Sequence, residues 1–202
     1  MIDFTYYRKE YLKELGNIED YPPNSLFFSE GLAVYSLAKY FEIDILIESG
    51  VFRGGSTSIW IRTLKDISIQ CYDILESKKH VSIVQGVIDQ YQDNPNIKFT
   101  IGDSIVEIPK YIESNLDKRI GVFVDGPKEQ KGLDLCNTCL SYNNVFFSCL
   151  HDFSKLNDSK HLSTKTSSKF ISLAGNMNAH HPQITKYPNG PGLYCITKEE
   201  VL

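Results

Sequence analysis

Five short apolar runs recur through the first three quarters of the chain: Ile45 to Glu48, Ile67 to Ile74, Ile97 to Ile101, Ile120 to Val124 and Val145 to Leu150. They read as continuous stretches rather than strict apolar–polar alternations, the pattern of strands covered on both faces. Between them the apolar positions return at helical spacing. Val34, Leu37, Ala38 and Phe41 fall at i, i+3, i+4 and i+7, which predicts a helix from Leu26 to Phe41 behind the stop Pro22-Pro23 and the N-cap candidates Asn24 and Ser25. Further helices are expected from Ser56 to Lys65 and around Val84, Val87, Ile88 and Tyr91. Another runs from Ser104 toward Asn115, where Pro109 should bend or restart it, and a last one from Gln130 to Ser141. Strands alternating with helices imply βαβ units, right-handed crossovers and an α/β fold with a doubly wound, mostly parallel sheet. Ile171 to Ala174 and Leu193 to Thr197 read as two further short strands. Residues 1–42 read as an N-terminal helical cover of one domain spanning 1–202. Residues 154–192 lack periodicity; their Ser, Lys, Thr and Asp content and the pair His180-His181 suggest a loop or lid.

A polar residue closes each of the five strands: Glu48, Asp73, Asp103, Asp125 and Asp152. Doubly wound sheets bind ligands at the carboxyl ends of their strands, so these side chains should gather on one rim. The first strand runs into Glu48-x-Gly50-x-x-x-Gly54-Gly55-Ser56 and then directly into a helix. Glycines allow close backbone approach, and the unpaired N–H groups of a first helical turn hold polar atoms, which suits a nucleotide-like ligand. The spacing misses the dinucleotide fingerprint G-x-G-x-x-G, which argues against a nicotinamide-dependent oxidoreductase. A carboxylate before the first glycine would repel a pyrophosphate, whereas it suits an ammonium or hydroxyl groups. The plain alternative is a strand–turn–helix corner with glycines for packing. Asp73, 25 residues beyond Glu48, could accept both hydroxyls of a ribose, or else cap the helix that starts near Ser77.

Composition narrows the class. The 202 residues are 42% hydrophobic and 23% charged, with a net charge of −4 and no basic block, which speaks against nucleic acid as the partner. No apolar run approaches membrane-spanning length and the first residues lack a signal peptide's character, so a cytoplasmic protein is expected. Five cysteines, an odd number lying mostly in expected strands and one helix, read as buried hydrophobes. Cys136-x-x-Cys139 has no second pair at zinc spacing and belongs with them.

The string Glu48-Ser49-Gly50-Val51-Phe52-Arg53-Gly54-Gly55-Ser56-Thr57 resembles the first motif of class I S-adenosylmethionine (SAM) methyltransferases, and is most similar to the branch of macrocin-type sugar O-methyltransferases and cephalosporin-hydroxylase-like proteins. The resemblance extends over about Leu26 to Asp152. It implies a seven-stranded sheet finished by an antiparallel hairpin, with SAM as cofactor. Glu48, Gly50, Phe52, Arg53, Gly54, Gly55, Ser56 and Asp73 would hold the cofactor, together with Gly102-Asp103-Ser104, which matches the family element that reaches the adenine edge. It also implies a small-molecule acceptor, a sugar hydroxyl among the candidates, and is compatible with a homo-oligomer. In such enzymes carboxylates at the fourth and fifth strand ends hold magnesium, a role that would fall to Asp125 and Asp152. Lys128, three residues after Asp125, matches a proton-accepting lysine of catechol-type enzymes. His151 departs from the branch, which has an acid there. As a poor magnesium ligand it becomes a candidate general base with a pKa near neutrality. These departures keep open a second reading, a catalytically degenerate SAM- or nucleotide-binding or scaffold protein of the same fold.

Overall fold

The computed structural model describes residues 2–16, 26–152, 168–171 and 193–198. The expected lid and His180-His181 lie outside these residues. The five apolar runs form β1 (Ile45–Ser49), β2 (Ser68–Asp73), β3 (Ile97–Ile101), β4 (Ile120–Val124) and β5 (Val145–Leu150). Two further strands follow, β6 (Ser168–Ile171), about three residues earlier than the sequence pattern places it, and β7 (Leu193–Thr197). The helices are α1 (Phe4–Leu15), α2 (Phe28–Tyr40), α3 (Gly55–Thr63), α4 (Lys78–Tyr91), α5 (Ser104–Glu113) and α6 (Glu129–Leu140).

The strand order is β3-β2-β1-β4-β5-β7-β6. Strands β1 to β5 are parallel, and β7 runs antiparallel to both β5 and β6. The order reverses between β1 and its neighbours β2 and β4, so their carboxyl ends frame the crevice of a doubly wound sheet.

Strand periodicity divides the core. Ile45, Ile47, Val122 and Val124 point to one face and pack with Ile108, Ile112, Leu133 and Cys136 of α5 and α6. Leu46, Phe123 and Phe147 point to the other and meet Trp60, Val87 and the buried side of α2. Gly121 is required there: a Cβ at that position would stand 2.3 Å from the Phe147 ring. Helix α2 is buried from Phe28 to Ala38 because α1 lies over it, with the Tyr11 ring 5.3 Å from Phe28 and 5.2 Å from Tyr35. A helix enclosed on every side needs no polar face. The N-terminal polar stretch thus contains a helix of its own, whose apolar residues Phe4, Tyr7, Tyr11, Leu12 and Leu15 recur at helical spacing and pack on the core. At its ends Asp3 accepts from the Thr5 and Tyr6 amides and Gly16 closes the last turn.

Pro109 does not restart α5, which runs unbroken through it. The carbonyl left without its donor is that of Ile105, whose side chain is exposed and where water can take the missing place. All five cysteines are buried thiols. Cys136 and Cys139 pack inside α6, where burial pushes the Cys136 thiol up to about 12. Among the described residues, no helix is long and apolar enough to cross a membrane.

Candidate active site

The glycine turn after β1 is built around Asp73. At the end of the neighbouring β2, its Oδ2 accepts the amides of Val51 and Phe52, each at 2.8 Å, while Oδ1 lies 3.3 Å from His80 Nε2. A carboxylate gripping two backbone N–H groups fixes the turn. Gly50, at φ +92, lets the turn pass the β4 end, since a Cβ there would sit 2.7 Å from the Gly126 amide. Ser49 Oγ donates to the Gly126 carbonyl and ties the same two strand ends together.

Glu48 differs from its expected role. The strand period that turns Ile47 to one face turns Glu48 to the other, toward α3. There Thr57 Oγ1 donates to it at 2.6 Å, Trp60 Nε1 at 3.0 Å and Cys71 Sγ at 3.2 Å. Fully enclosed, its carboxyl is pushed up to about 7 by burial, against the lowering effect of these donors and of Ser56. Glu48 and Ser56 therefore bond inside the protein rather than to a ligand. Gly54, at φ +70, faces Val87 of α4, whose side chain would lie 2.8 Å from an added Cβ. The second glycine packs a helix where a ligand cradle was expected, and Gly55 continues from it as the first residue of α3.

The cleft opens beside these residues, at the carboxyl ends of β1, β2 and β4. Its volume is about 570 Å³, and Gly50, Phe52, Asp73, Asp103, Ser104, Asp125 and Lys128 are in its walls. Of the five expected strand-end acids, Asp73, Asp103 and Asp125 line the cleft, Glu48 is turned inward, and Asp152 lies outside its walls against Lys128. Asp103 caps α5 by accepting the Ile105 amide at 3.0 Å, and Ser104 Oγ reaches the Gly126 carbonyl at 3.4 Å. Gly102 packs against Glu107, 3.0 Å from where a Cβ would stand. Tyr72, Ile74 and Ile105 add apolar wall that the motifs did not mark. Arg53 lies over the Phe52 ring at 5.3 Å and opens instead onto an adjoining hollow with Lys79 and His80.

The far end of the cleft holds a charge network. Lys128 Nζ touches Asp125 Oδ1 and lies 3.0 Å from Asp152 Oδ2. His151 Nδ1 meets the same Asp125 oxygen at 2.7 Å, and His151 Nε2 faces Glu30 Oε2 at 3.4 Å. Burial alone would lower the His151 pKa. Glu30 and Asp125 outweigh it and raise the imidazole well above its usual range, which favours a partly buried cation over the near-neutral base expected of His151. Asp125 is the counterpart: burial raises its carboxyl, and His151 and Lys128 bring it far below the ordinary range. Lys128 is lowered by burial and raised further by Asp125 and Asp152, so it keeps its proton.

Glu30 is the member the sequence did not reveal. It arrives from the third position of α2, buried, with Oε2 also accepting the Phe27 amide at 2.9 Å. An acid three residues into a helix reads as a cap, and only the fold brings it to His151.

Asp125, His151 and Asp152 each place one donor atom within 4.8 Å of the others, close enough for one ion. The donor set does not fit magnesium. That ion needs oxygen ligands, here two carboxylates already bridged by an ammonium, and both nitrogens of the third residue face acids.

No protein-family model matches the chain, and no curated protein matches it. Solved structures do match, and share the fold. An SAH-bound methyltransferase of Podospora anserina, PaMTH1, matches at 13% identity over 84% of this chain and 77% of its own, with a TM-score of 0.56. An O-methyltransferase from Bacillus cereus in complex with SAH is also 13% identical, over 96% and 90% of the two chains, at a TM-score of 0.56. TomG from Streptomyces achromogenes, an O-methyltransferase in complex with SAM and involved in tomaymycin synthesis, is 14% identical over 83% and 78%, at 0.51. The fold is that of these methyltransferases.

Proposed function

We propose that the protein is a SAM-dependent O-methyltransferase acting on a hydroxyl of a small molecule. The observation that carries this reading is one continuous cleft with two chemically distinct ends. At one end lies Asp73 with the glycine turn, bordered by Asp103 and the apolar Ile74 and Ile105; at the other lie Asp125 and Lys128, whose ammonium also reaches Asp152 behind the cleft wall. The first end suits an adenosyl group. In this reading Asp73 Oδ1 takes the ribose hydroxyls, Asp103 the adenine edge, and the isoleucines cover the flat ring. The second end suits an acceptor hydroxyl.

The chemistry is an in-line displacement whose needs are alignment and loss of the acceptor proton. The acceptor oxygen bonds to the methyl carbon as the carbon–sulfur bond breaks, and its electron pair remains on sulfur as a neutral thioether. The Lys128 ammonium donates to the acceptor oxygen and stabilises its developing negative charge. The proton passes to the Asp152 carboxylate and on to water. Asp125 and His151 hold Lys128 in place, so His151 acts through position. The sugar-modifying branch is supported by the motif from Glu48 to Thr57 alone.

A second reading, a SAM- or nucleotide-binding protein without turnover, is favoured by one observation: Asp125 and Asp152 already have a partner within the protein. Single-turnover incubation with methyl-labelled SAM and a panel of phenols and sugars separates the two. Label transfer to any hydroxyl supports the enzyme. Tight SAM binding with no transfer across the panel supports the second reading.

A further inference from the structure

Resting on the methyltransferase reading, we propose that Lys128 is a built-in cation, its ammonium occupying the position between Asp125 and Asp152 that a divalent metal would otherwise fill. Methyl transfer at this site then proceeds without a metal ion.

Three features of the cluster converge on this. The Lys128 ammonium bridges the two carboxylates, touching Asp125 Oδ1 and standing 3.0 Å from Asp152 Oδ2. An ion bound to the same oxygens would have to expel it. The third nearby donor, His151, has both ring nitrogens turned toward acids. Its Nδ1 is 2.7 Å from Asp125 and its Nε2 is 3.4 Å from Glu30, so each nitrogen faces an acid rather than the space between Asp125 and Asp152. Glu30 is what closes this option. It is a buried acid on α2 whose Oε2 accepts the Phe27 amide and stands 3.4 Å from His151 Nε2.

Charge points the same way. Glu30, Asp125 and Asp152 against Lys128 and His151 leave one negative charge in the cluster. The single positive charge of a sulfonium nearby balances it. A divalent ion in the place of Lys128 would instead leave the set neutral, with no negative charge to offset that sulfonium in weakly screened, partly buried surroundings.

The proposal is tested on the full chain with Mn²⁺ as the probe, read by electron paramagnetic resonance, so that no acceptor need be known. The wild type is expected to leave Mn²⁺ free at about 1 mM, the weak end of oxygen-ligand affinities. Lys128→Met, which keeps the stem and removes the charge, should expose the carboxylate pair and tighten Mn²⁺ binding by about tenfold or more. Asp125→Asn added to it should abolish the gain. Melting temperature checks that each variant folds, and Lys128→Gln replaces any that does not. Mn²⁺ bound by the wild type and lost in Asp125→Asn would overturn the proposal. So would an absence of binding in wild type and Lys128 variants alike, because the carboxylates would then be no cation position at all. SAH titrations run in parallel keep the two readings apart: loss of SAH binding everywhere defeats the cofactor assignment, while the Mn²⁺ result still decides the role of Lys128.

Discussion

Glu48 shows what a single buried acid does to this fold. Its carboxyl is enclosed among Thr57, Trp60 and Cys71 and pushed from 4.5 to about 7. The folded state therefore holds this proton more tightly than the unfolded chain does. The associated stability is fully present below pH 4.5 and is lost as pH rises through about 7. The swing between the two limits is on the order of 3 kcal/mol. Glu48→Gln removes the ionisation while leaving an acceptor for Trp60, so its melting temperature should vary less than that of the wild type between these pH values. Parallel melting curves for the two proteins would show that Glu48 does not ionise there. The residue type at this position was legible in the sequence; its direction was not. The strand period sets that direction, and the motif that made Glu48 look like a ligand residue says nothing about which face of the strand meets α3. Asp73 illustrates the converse. Its place at a strand end was legible, whereas its grip on the Val51 and Phe52 amides exists only once β2 lies beside β1.

Among the elements, the parallel strands were the most readable, because each is a compact apolar run whose length a buried strand requires. The boundaries of β3, β4, β5 and β7 coincide with those runs. The bounds of helix α1 were less legible, since only Tyr11 and Leu15 are buried and Phe4, Tyr7 and Leu12, spaced among charged residues, are partly so. Glu30 escaped for a related reason: in a helix buried all round, no periodicity distinguishes an acid aimed at a site from one that caps its own amides. Packing between elements carries a sharper expectation. Gly121 in β4 makes room for the Phe147 ring of β5, with which it pairs across the ladder. Gly121→Ala should cost about 1–3 kcal/mol in chemical denaturation through overpacking. Phe147→Leu in the same chain should recover part of it, so that the two changes are non-additive. Additive losses would mean that the ring and the glycine do not compete for the same space.

At the scale of the molecule, one edge of the sheet collects the polar strand ends, and the order reversal around β1 opens the cleft between them. Three of the four described non-glycine residues with positive φ, Phe52, Glu129 and Asp152, also lie along this edge. Unfavourable backbone conformations concentrated at one rim mark where the fold serves a site rather than its own stability. The central claim is that an adenosyl group occupies the cleft between Asp73 and Asp103. Calorimetric titration of SAH tests it most directly, in the wild type and in Ile105→Glu, an exposed wall residue whose change leaves the core intact. One site with a dissociation constant of about 1–100 µM is expected for the wild type, weakened about tenfold or more in the variant. No heat of binding from the wild type, or equal affinity in both proteins, would contradict it.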